Sequence, residues 1–206
     1  MSTKNLLIIF TKNPELGKVK TRLARTIGDE RALTVYKALL DYTHKITKDL
    51  DVEKHVYYSN EIGENDLWKA GFKKYVQEGA DLGIRMKNAF LNGFAEGYEN
   101  IVIIGSDMFA ITENHLKEAF EKLSSNDVVI GPAEDGGYYL LGMQKDQTFV
   151  FDHKEWSTES VFPDTVKDIQ ERNLSFDTIE TLNDIDTEED LMKSSDEVLE
   201  KLGFVK

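Results

Sequence analysis

The sequence contains no cysteine among its 206 residues. This absence excludes disulfides, thiolate zinc sites, iron–sulfur clusters and cysteine nucleophiles. The four histidines are scattered, and no two stand at the spacing that paired metal ligands take on a helix; they are His44, His55, His115 and His153. We therefore expect any metal to be held by oxygen ligands, which favours Mg²⁺ or Mn²⁺ over zinc.

Long apolar runs are also missing. The run Leu6 to Phe10 has five residues, no other run is longer, and five are too few for a signal-peptide core or a membrane span. The formal net charge is -13, which disfavours nucleic acids and anionic lipids because these partners are themselves polyanions. We expect a cytoplasmic protein that binds neither nucleic acid nor membrane.

One short segment has the opposite charge. Five basic residues and a single acid, Glu15, lie between Thr11 and Thr26; the basic residues are Lys12, Lys18, Lys20, Arg22 and Arg25. A basic island in an acidic protein suggests a small anionic ligand, although a solvated basic loop would look the same.

Strand-like and helix-like segments alternate along the chain, without an internal repeat or a linker. This pattern predicts one α/β domain over residues 1–206, with a mostly parallel central sheet and helices on both faces. The predicted strands are 6–10, 55–59, 73–77, 101–104, 127–131, 138–143 and 176–179. The predicted helices are 29–50, 64–70, 82–97, one that follows a Thr112 cap, 163–173 and 187–202.

Ligands of such folds bind beyond the carboxyl ends of the strands, so the loops there are the candidate sites. The loop after the first strand contains Gly17-Lys18 but is not a Walker A loop, because Lys12 and Val19 replace the required glycine and hydroxyl residue. Its backbone amides, with Lys12, Lys20 and Arg22, could surround phosphate oxygens.

Two aspartates stand out in later loops. Asp107 follows the apolar strand 101–104 after Gly105-Ser106 and is either a turn residue or a metal ligand. Asp135 precedes Gly136-Gly137, a pair that allows either a tight hairpin or a close approach of backbone to ligand.

A series of short motifs spans nearly the whole chain: Lys12-Asn-Pro, Gly17, Lys20-Thr-Arg-Leu-Ala24, Asp81-Leu-Gly83, Arg85-Met86, Gly105-Ser-Asp107, Gly131-Pro-Ala, Asp135-Gly-Gly-Tyr-Tyr, Gly142, Trp156-Ser-Thr158 and Asp184-Ile-Asp-Thr-Glu-Glu-Asp-Leu191. Taken in order, these motifs resemble a bacterial family, the radical-SAM/selenodomain-associated transferases. That family has the GT-A fold of nucleotide-diphospho-sugar transferases. The chain also resembles phospholactate guanylyltransferases and, more distantly, molybdenum-cofactor nucleotidylyltransferases.

The resemblance implies roles for several of these positions. Asp107 would be the metal ligand, and Asp135 a second acid near the metal or the acceptor, which we expect to be catalytic as a general base. Nucleotide and phosphate contacts would come from Lys12, Gly17, Lys20, Arg22, Asp81, Gly83 and Arg85. The acceptor region would contain Gly136, Gly137, Tyr138, Trp156 and Thr158. One departure is that Met108 and Phe109 follow Asp107 where the family usually has Cys-Pro.

We expect the activity to be a transfer reaction that uses a nucleoside di- or triphosphate, Mg²⁺ or Mn²⁺ and a small-molecule acceptor. Glycosyl transfer from a nucleotide-diphospho-sugar is the first hypothesis, and nucleotidyl transfer from a triphosphate is the second. A nucleotide-binding protein without turnover is the third. The oligomeric state stays open.

The acidic segment near the carboxyl end has a simpler interpretation. Asp186 and Thr187 with Asp190 fit a helix cap, and the run 184–200 fits a solvated helix face. Trp156 fits a core position as well as an acceptor site.

Overall fold

A computed structural model describes residues 4–194, 196–202 and 204. The described chain forms one α/β layer structure with seven strands in a single sheet, in the order β3-β2-β1-β4-β6-β5-β7. The strands are β1 (Asn5–Thr11), β2 (Glu53–Tyr58), β3 (Lys73–Val76), β4 (Asn100–Gly105), β5 (Val128–Pro132), β6 (Tyr138–Gln144) and β7 (Phe176–Thr178).

The helices are α1 (Thr21–Ile27), α2 (Asp29–Thr47), α3 (Leu82–Ala95), α4 (Glu113–Leu123), α5 (Val161–Glu171), α6 (Glu188–Lys193) and α7 (Asp196–Lys201), with a short 3-10 turn at Thr148–Phe151. No helix of the described chain is long and apolar enough to cross a bilayer.

Strand directions confirm the predicted, mostly parallel sheet. Strands β1, β2, β3 and β4 run parallel to one another, and β5 runs parallel to β7. Strand β6 is antiparallel to both of its neighbours, β4 and β5. Because all the other described strands point one way, the loops after β1, β4 and β5 meet at one edge of the sheet.

Apolar side chains of the central strands pack on both sheet faces. Leu7 and Ile9 join the core beneath α2 and α4, whereas Leu6 and Ile8 join the core beneath α3 and α5. A strand buried on both faces has to be apolar at every position, which explains why a continuous run predicted β1 correctly. A third, smaller core connects α1 and α2 with the carboxyl-terminal helices through Leu23, Leu191 and other apolar side chains.

Two predicted helices differ from the structure. Residues 64–70 form bends instead of a helix, because the Asp66 carboxylate accepts the backbone N–H of Trp68 at 3.1 Å and an ion pair from Lys74 at 2.7 Å. An aspartate bonded to its own backbone in this way competes with helix formation. The single helix predicted over 187–202 is two helices, since Ser194 is extended at the end of α6.

Two further elements were not predicted. Helix α1 lies in the segment interpreted as a basic loop, and Gly28, at φ 85°, separates it from α2. The 3-10 turn at Thr148–Phe151 buries Val150 and Phe151 beside α3.

Candidate functional site

A cavity of about 340 Å³ opens at the carboxyl ends of β1 and β4. It is lined by both strand tips, by the β5–β6 turn, by the amino-terminal turn of α3 and by the segment before α5. Seven of the predicted site residues line it, namely Lys12, Asp107, Asp135, Gly137, Tyr138, Trp156 and Thr158. The fold therefore brings together loops that are more than a hundred residues apart in the sequence.

A buried lysine lies beneath one rim of this cavity. The Lys20 side chain is 2% exposed, and its Nζ lies 3.0 Å from Asp107 Oδ2 and 2.9 Å from Asp186 Oδ1. The backbone of Lys20 is left-handed, at φ 45°, and α1 begins at the next residue. Lys20 thus connects the loop after β1 with the tip of β4 and with the segment that precedes α6.

These contacts shift the titration of both partners. Burial by itself would lower the pKa of Lys20, but the carboxylates of Asp107 and Asp186 outweigh it and raise that pKa above its ordinary value. Desolvation opposes ionisation of Asp107, whereas Lys20 and, at longer range, Lys12 lower the pKa of its carboxyl group. Lys20 and Asp107 are therefore a charged pair at neutral pH.

A third carboxylate, Asp184, lines the same cavity. Its pKa is raised to about 6 by burial and by the nearby charges of Asp186, Asp107 and Asp135, against the opposing effect of Lys20. An acid that is hard to ionise beside other acids is a common feature of sites that take up a cation.

The assignment of the segment 184–190 to a plain helix cap and solvated face is therefore only partly correct. Thr187 caps α6 and forms a capping box with Asp190. Asp186 instead contacts Lys20, and Asp184 lines the cavity. The signal that could have found them is the pair of acids two residues apart, directly before the cap.

Other members of the basic island have less central positions. Arg22 is 63% exposed and lies 3.4 Å from Asp186. Lys18 pairs with Glu15 at 2.5 Å, away from the cavity. Gly17 has φ 75° and lies outside the residues that line the cavity, so its contribution is the turn itself.

Tyr36 from α2 fixes the start of the basic loop. Its hydroxyl accepts the backbone N–H of Lys12 at 2.8 Å, donates to the Lys12 carbonyl at 3.1 Å and lies 3.4 Å from Ser106 Oγ. The loop after β1 and the tip of β4 are thereby held by the same buried side chain.

The replacement of Cys-Pro by Met108-Phe109 is compensated by packing. Met108 is 6% exposed within the core, and the Phe109 ring stacks on Tyr42 with the ring centroids 4.3 Å apart. Tyr42 also donates its hydroxyl to the Ile111 carbonyl at 2.9 Å. The turn after Asp107 is therefore anchored to α2 by aromatic contact where a proline would have restricted it.

The three residues predicted to bind nucleotide at the start of α3 have structural contacts. Asp81 caps α3 by accepting the N–H of Ile84 at 2.9 Å, and Arg85 Nε donates to the Gly79 carbonyl at 3.1 Å. The backbone of Gly83 packs so closely against the Trp156 indole that a Cβ there would lie 2.3 Å from Nε1. In this segment the cavity wall is formed by Leu82 and Met86, so nucleotide contacts from the three residues stay predictions.

The β5–β6 turn combines a hairpin cap with a cavity wall. Asp135 Oδ1 accepts the N–H of Gly137 at 2.9 Å, which is the contact that a hairpin cap requires. Gly136 has φ 86°, and a Cβ there would meet the Glu159 backbone at 2.5 Å. The turn is thus fixed against the segment that precedes α5, and the Asp135 side chain lines the cavity.

Aromatic side chains form the wall beside this turn. Tyr138 and Trp156 meet edge to face, with the ring centroids 6.4 Å apart. The Tyr138 hydroxyl is buried without a hydrogen-bond partner among the described residues, and burial raises its pKa. Thr158 Oγ1 donates to the Glu155 carbonyl at 2.7 Å. Trp156 is therefore both a core residue and a cavity residue.

Oxygen ligands for a cation are present at this rim. The Asp107 and Asp186 oxygens that contact Lys20 cannot be more than about 6 Å apart, because both lie about 3 Å from the same Nζ. Within the described residues, no three histidine or acidic side chains form a ready-made metal cluster. A sparse set of one or two carboxylates fits Mg²⁺ or Mn²⁺, which take their other ligands from water and phosphate.

Comparison with known proteins agrees with the fold. The family of uncharacterized proteins conserved in bacteria, DUF2064, matches residues 42–158. A search of the curated proteins found no match. A crystal structure from Desulfovibrio desulfuricans G20, named a "putative nucleotide-diphospho-sugar transferase", is 34% identical, with 92% of this chain and 85% of that chain covered and a TM-score of 0.84.

More distant structures share the fold alone. The inositol-1-phosphate CTP transferase from T. maritima is 14% identical, with coverage of 98% and 96% and a TM-score of 0.58. The Rv0371C complex with manganese from Mycobacterium tuberculosis H37Rv is 11% identical, with 98% of each chain covered and a TM-score of 0.53. The sheet order, the cavity at the strand tips and these matches agree, and the chain belongs to the DUF2064 family and has the nucleotide-diphospho-sugar transferase fold.

Proposed function

We propose that this protein is a divalent-metal-dependent transferase that moves a glycosyl group from a nucleotide-diphospho-sugar to a small acceptor. The observation that carries the proposal is the position of Asp107, a charged carboxylate at the tip of β4 on the cavity rim, with Lys20 beside it. The name of the D. desulfuricans relative and the resemblance to the radical-SAM/selenodomain-associated transferases support the same reaction.

In this reaction the bond between the sugar C1 and the diphosphate oxygen breaks, and a bond from an acceptor oxygen to C1 forms. The nucleoside diphosphate leaves, and the acceptor loses a proton. A metal held by Asp107 together with Asp184 or Asp186 would neutralise charge on the leaving diphosphate. Lys12 and Arg22 would hold the phosphates, because hydrogen bonds from a charged side chain to phosphate are stronger than those from a neutral one.

Asp135 is the proposed general base. One of its carboxylate oxygens accepts the Gly137 N–H, which fixes the orientation of the group and leaves the second oxygen for the acceptor proton. Tyr138 and Trp156 form the adjoining wall, and an aromatic surface of this kind suits the apolar face of a sugar or a similar acceptor.

Nucleotidyl transfer is the second candidate, and the fold shared with the T. maritima CTP transferase favours it. The charge of the cavity argues against an acceptor that carries its own phosphate, as inositol-1-phosphate does. Among the described lining residues Lys12 is the only cation, whereas Asp107, Asp135 and Asp184 are acids. Once the metal and Lys12 hold the phosphates of the donor, the charged lining residues left for a phosphate on the acceptor are acids, which repel it.

A product assay separates these reactions from binding without turnover. The protein is incubated with Mg²⁺, a pool of small bacterial metabolites and, in turn, UDP-glucose, GDP-mannose, CTP or GTP. The products are then measured by mass spectrometry. Glycosyl transfer releases a nucleoside diphosphate, and nucleotidyl transfer releases pyrophosphate. Asp135→Asn is the matched control, because asparagine can still cap the β5–β6 turn but cannot take the proton of the acceptor. Binding with no product from any nucleotide would contradict both transfer reactions.

A further inference from the structure

Lys20 occupies the space between the two carboxylates that would have to approach a metal together. Its Nζ contacts Asp107 Oδ2 at 3.0 Å and Asp186 Oδ1 at 2.9 Å, and its side chain is 2% exposed. A dication that bridges the same two oxygens would need nearly the same position. The ammonium group and the metal therefore compete for one pair of ligands.

Displacing this lysine has a cost that depends on what else is bound. A buried ammonium that loses both carboxylates is left charged and without partners, which is strongly unfavourable. A nucleotide bound at the neighbouring loop would offer its phosphate oxygens to the ammonium. These oxygens are negatively charged, as the carboxylates are, and can replace them as partners. The metal can then take the carboxylates without leaving an unpaired charge behind.

We propose that Lys20 exchanges Asp107 and Asp186 for the nucleotide's phosphates, so that metal and nucleotide bind strongly only together. The proposal rests on the proposed function, because it presumes that the cavity binds a nucleoside diphosphate with a divalent cation. It assigns Lys20 a role beyond holding phosphate, namely excluding a metal while the nucleotide is absent. Coupling between two sites is reciprocal, so each ligand must tighten the other by the same factor.

The test measures Mn²⁺ binding by the loss of the aqueous Mn²⁺ signal in electron paramagnetic resonance. Titrations are done with and without UDP, GDP, ADP or CDP, and blanks without protein correct for Mn²⁺ that the nucleotide binds by itself. For the wild type we expect weak binding of Mn²⁺ alone and at least about tenfold tighter binding with the best of the four diphosphates.

Lys20→Met should bind Mn²⁺ alone about tenfold or more tightly than the wild type does, and the diphosphate should add less than about threefold. Lys20→Gln should give the same result, and its amide can still donate to Asp107 if the methionine variant does not fold. Lys18→Met is the matched control, since it removes the same charge from the same loop at a lysine that is 66% exposed, pairs with Glu15 and lies outside the cavity lining. It should leave the affinity for Mn²⁺ alone within about threefold of the wild type.

Two results would overturn the proposal, and they differ. If the wild type shows coupled binding but both Lys20 variants bind Mn²⁺ alone no more tightly than the wild type, the exchange is wrong and the proposed function stands. If the wild type binds neither Mn²⁺ nor any of the four diphosphates, the exchange and the metal-dependent function are both wrong.

Discussion

Replacing Asp184 by asparagine should make the protein more stable at pH 7.5 than the wild type. The pKa of Asp184 is about 6 in the folded protein, against an ordinary value of 3.8. Because the folded-state value is the higher one, the group favours folding at low pH, and this contribution is lost as the pH rises through 6. At pH 7.5 the wild type therefore carries an ionisation penalty that the neutral asparagine does not have.

The size of the gain follows from the shift. Roughly 2 pKa units correspond to about 3 kcal/mol at ~1.4 kcal/mol per unit, and solvent screening of a partly buried carboxylate reduces this to about 1–3 kcal/mol. At pH 5 the folded carboxyl is mostly protonated while the unfolded one is mostly ionised, so the gain should be about half as large. Below pH 4 it should vanish.

Urea unfolding at pH 5, 6 and 7.5 measures this directly, since it gives the free energy of unfolding at each pH. Asp190→Asn is the control: capping contacts outweigh burial and lower the pKa of Asp190, so its effect on stability should not change between pH 5 and 7.5. A constant difference between Asp184→Asn and the wild type over this range, or a less stable variant at pH 7.5, would mean that ionisation of Asp184 does not destabilise the folded protein.

Three further substitutions test the contacts around the cavity. Gly83→Ala should lower the free energy of unfolding by about 1–3 kcal/mol, because its Cβ would collide with the Trp156 indole; an unchanged thermal melt would contradict this packing. Asp81→Ala should cost about 1 kcal/mol in the same measurement through loss of the α3 cap, with Asp81→Asn as the control that keeps the cap. Asp135→Asn should reduce kcat by roughly 100- to 10,000-fold while leaving nucleotide affinity within about threefold, and near-wild-type turnover would remove Asp135 from catalysis.

Much of the fold was predictable because its strands are buried on both faces. Continuous apolar runs identified β1 and β4, and period-3.6 spacing identified α2 and α3. Helix α1 was missed because Leu23 is its one buried side chain, which gives no periodic pattern to read. The reversed direction of β6 follows from its tight hairpin with β5, and the sequence predicted both strands of that pair.

The site was predictable only in part. Asp107 was found because it follows a buried strand, and Asp135 was found because it precedes a glycine pair. The structure brings both residues to one cavity. Asp184 and Asp186 were missed as site residues because a cap explains an acid before a helix equally well. That Lys20 bridges Asp107 and Asp186 depends on contacts between residues up to 166 positions apart, which local spacing does not indicate.

A divalent cation at Asp107 should hold a nucleotide in this cavity. Calorimetric titration of UDP, GDP, ADP and CDP into the wild type and Asp107→Asn, each in Mg²⁺ and in EDTA, measures whether it does. We predict that at least one diphosphate binds the wild type about tenfold or more tightly in Mg²⁺ than in EDTA, and that Asp107→Asn loses this difference. Equal affinity of the wild type in Mg²⁺ and in EDTA for every diphosphate that binds would contradict the claim.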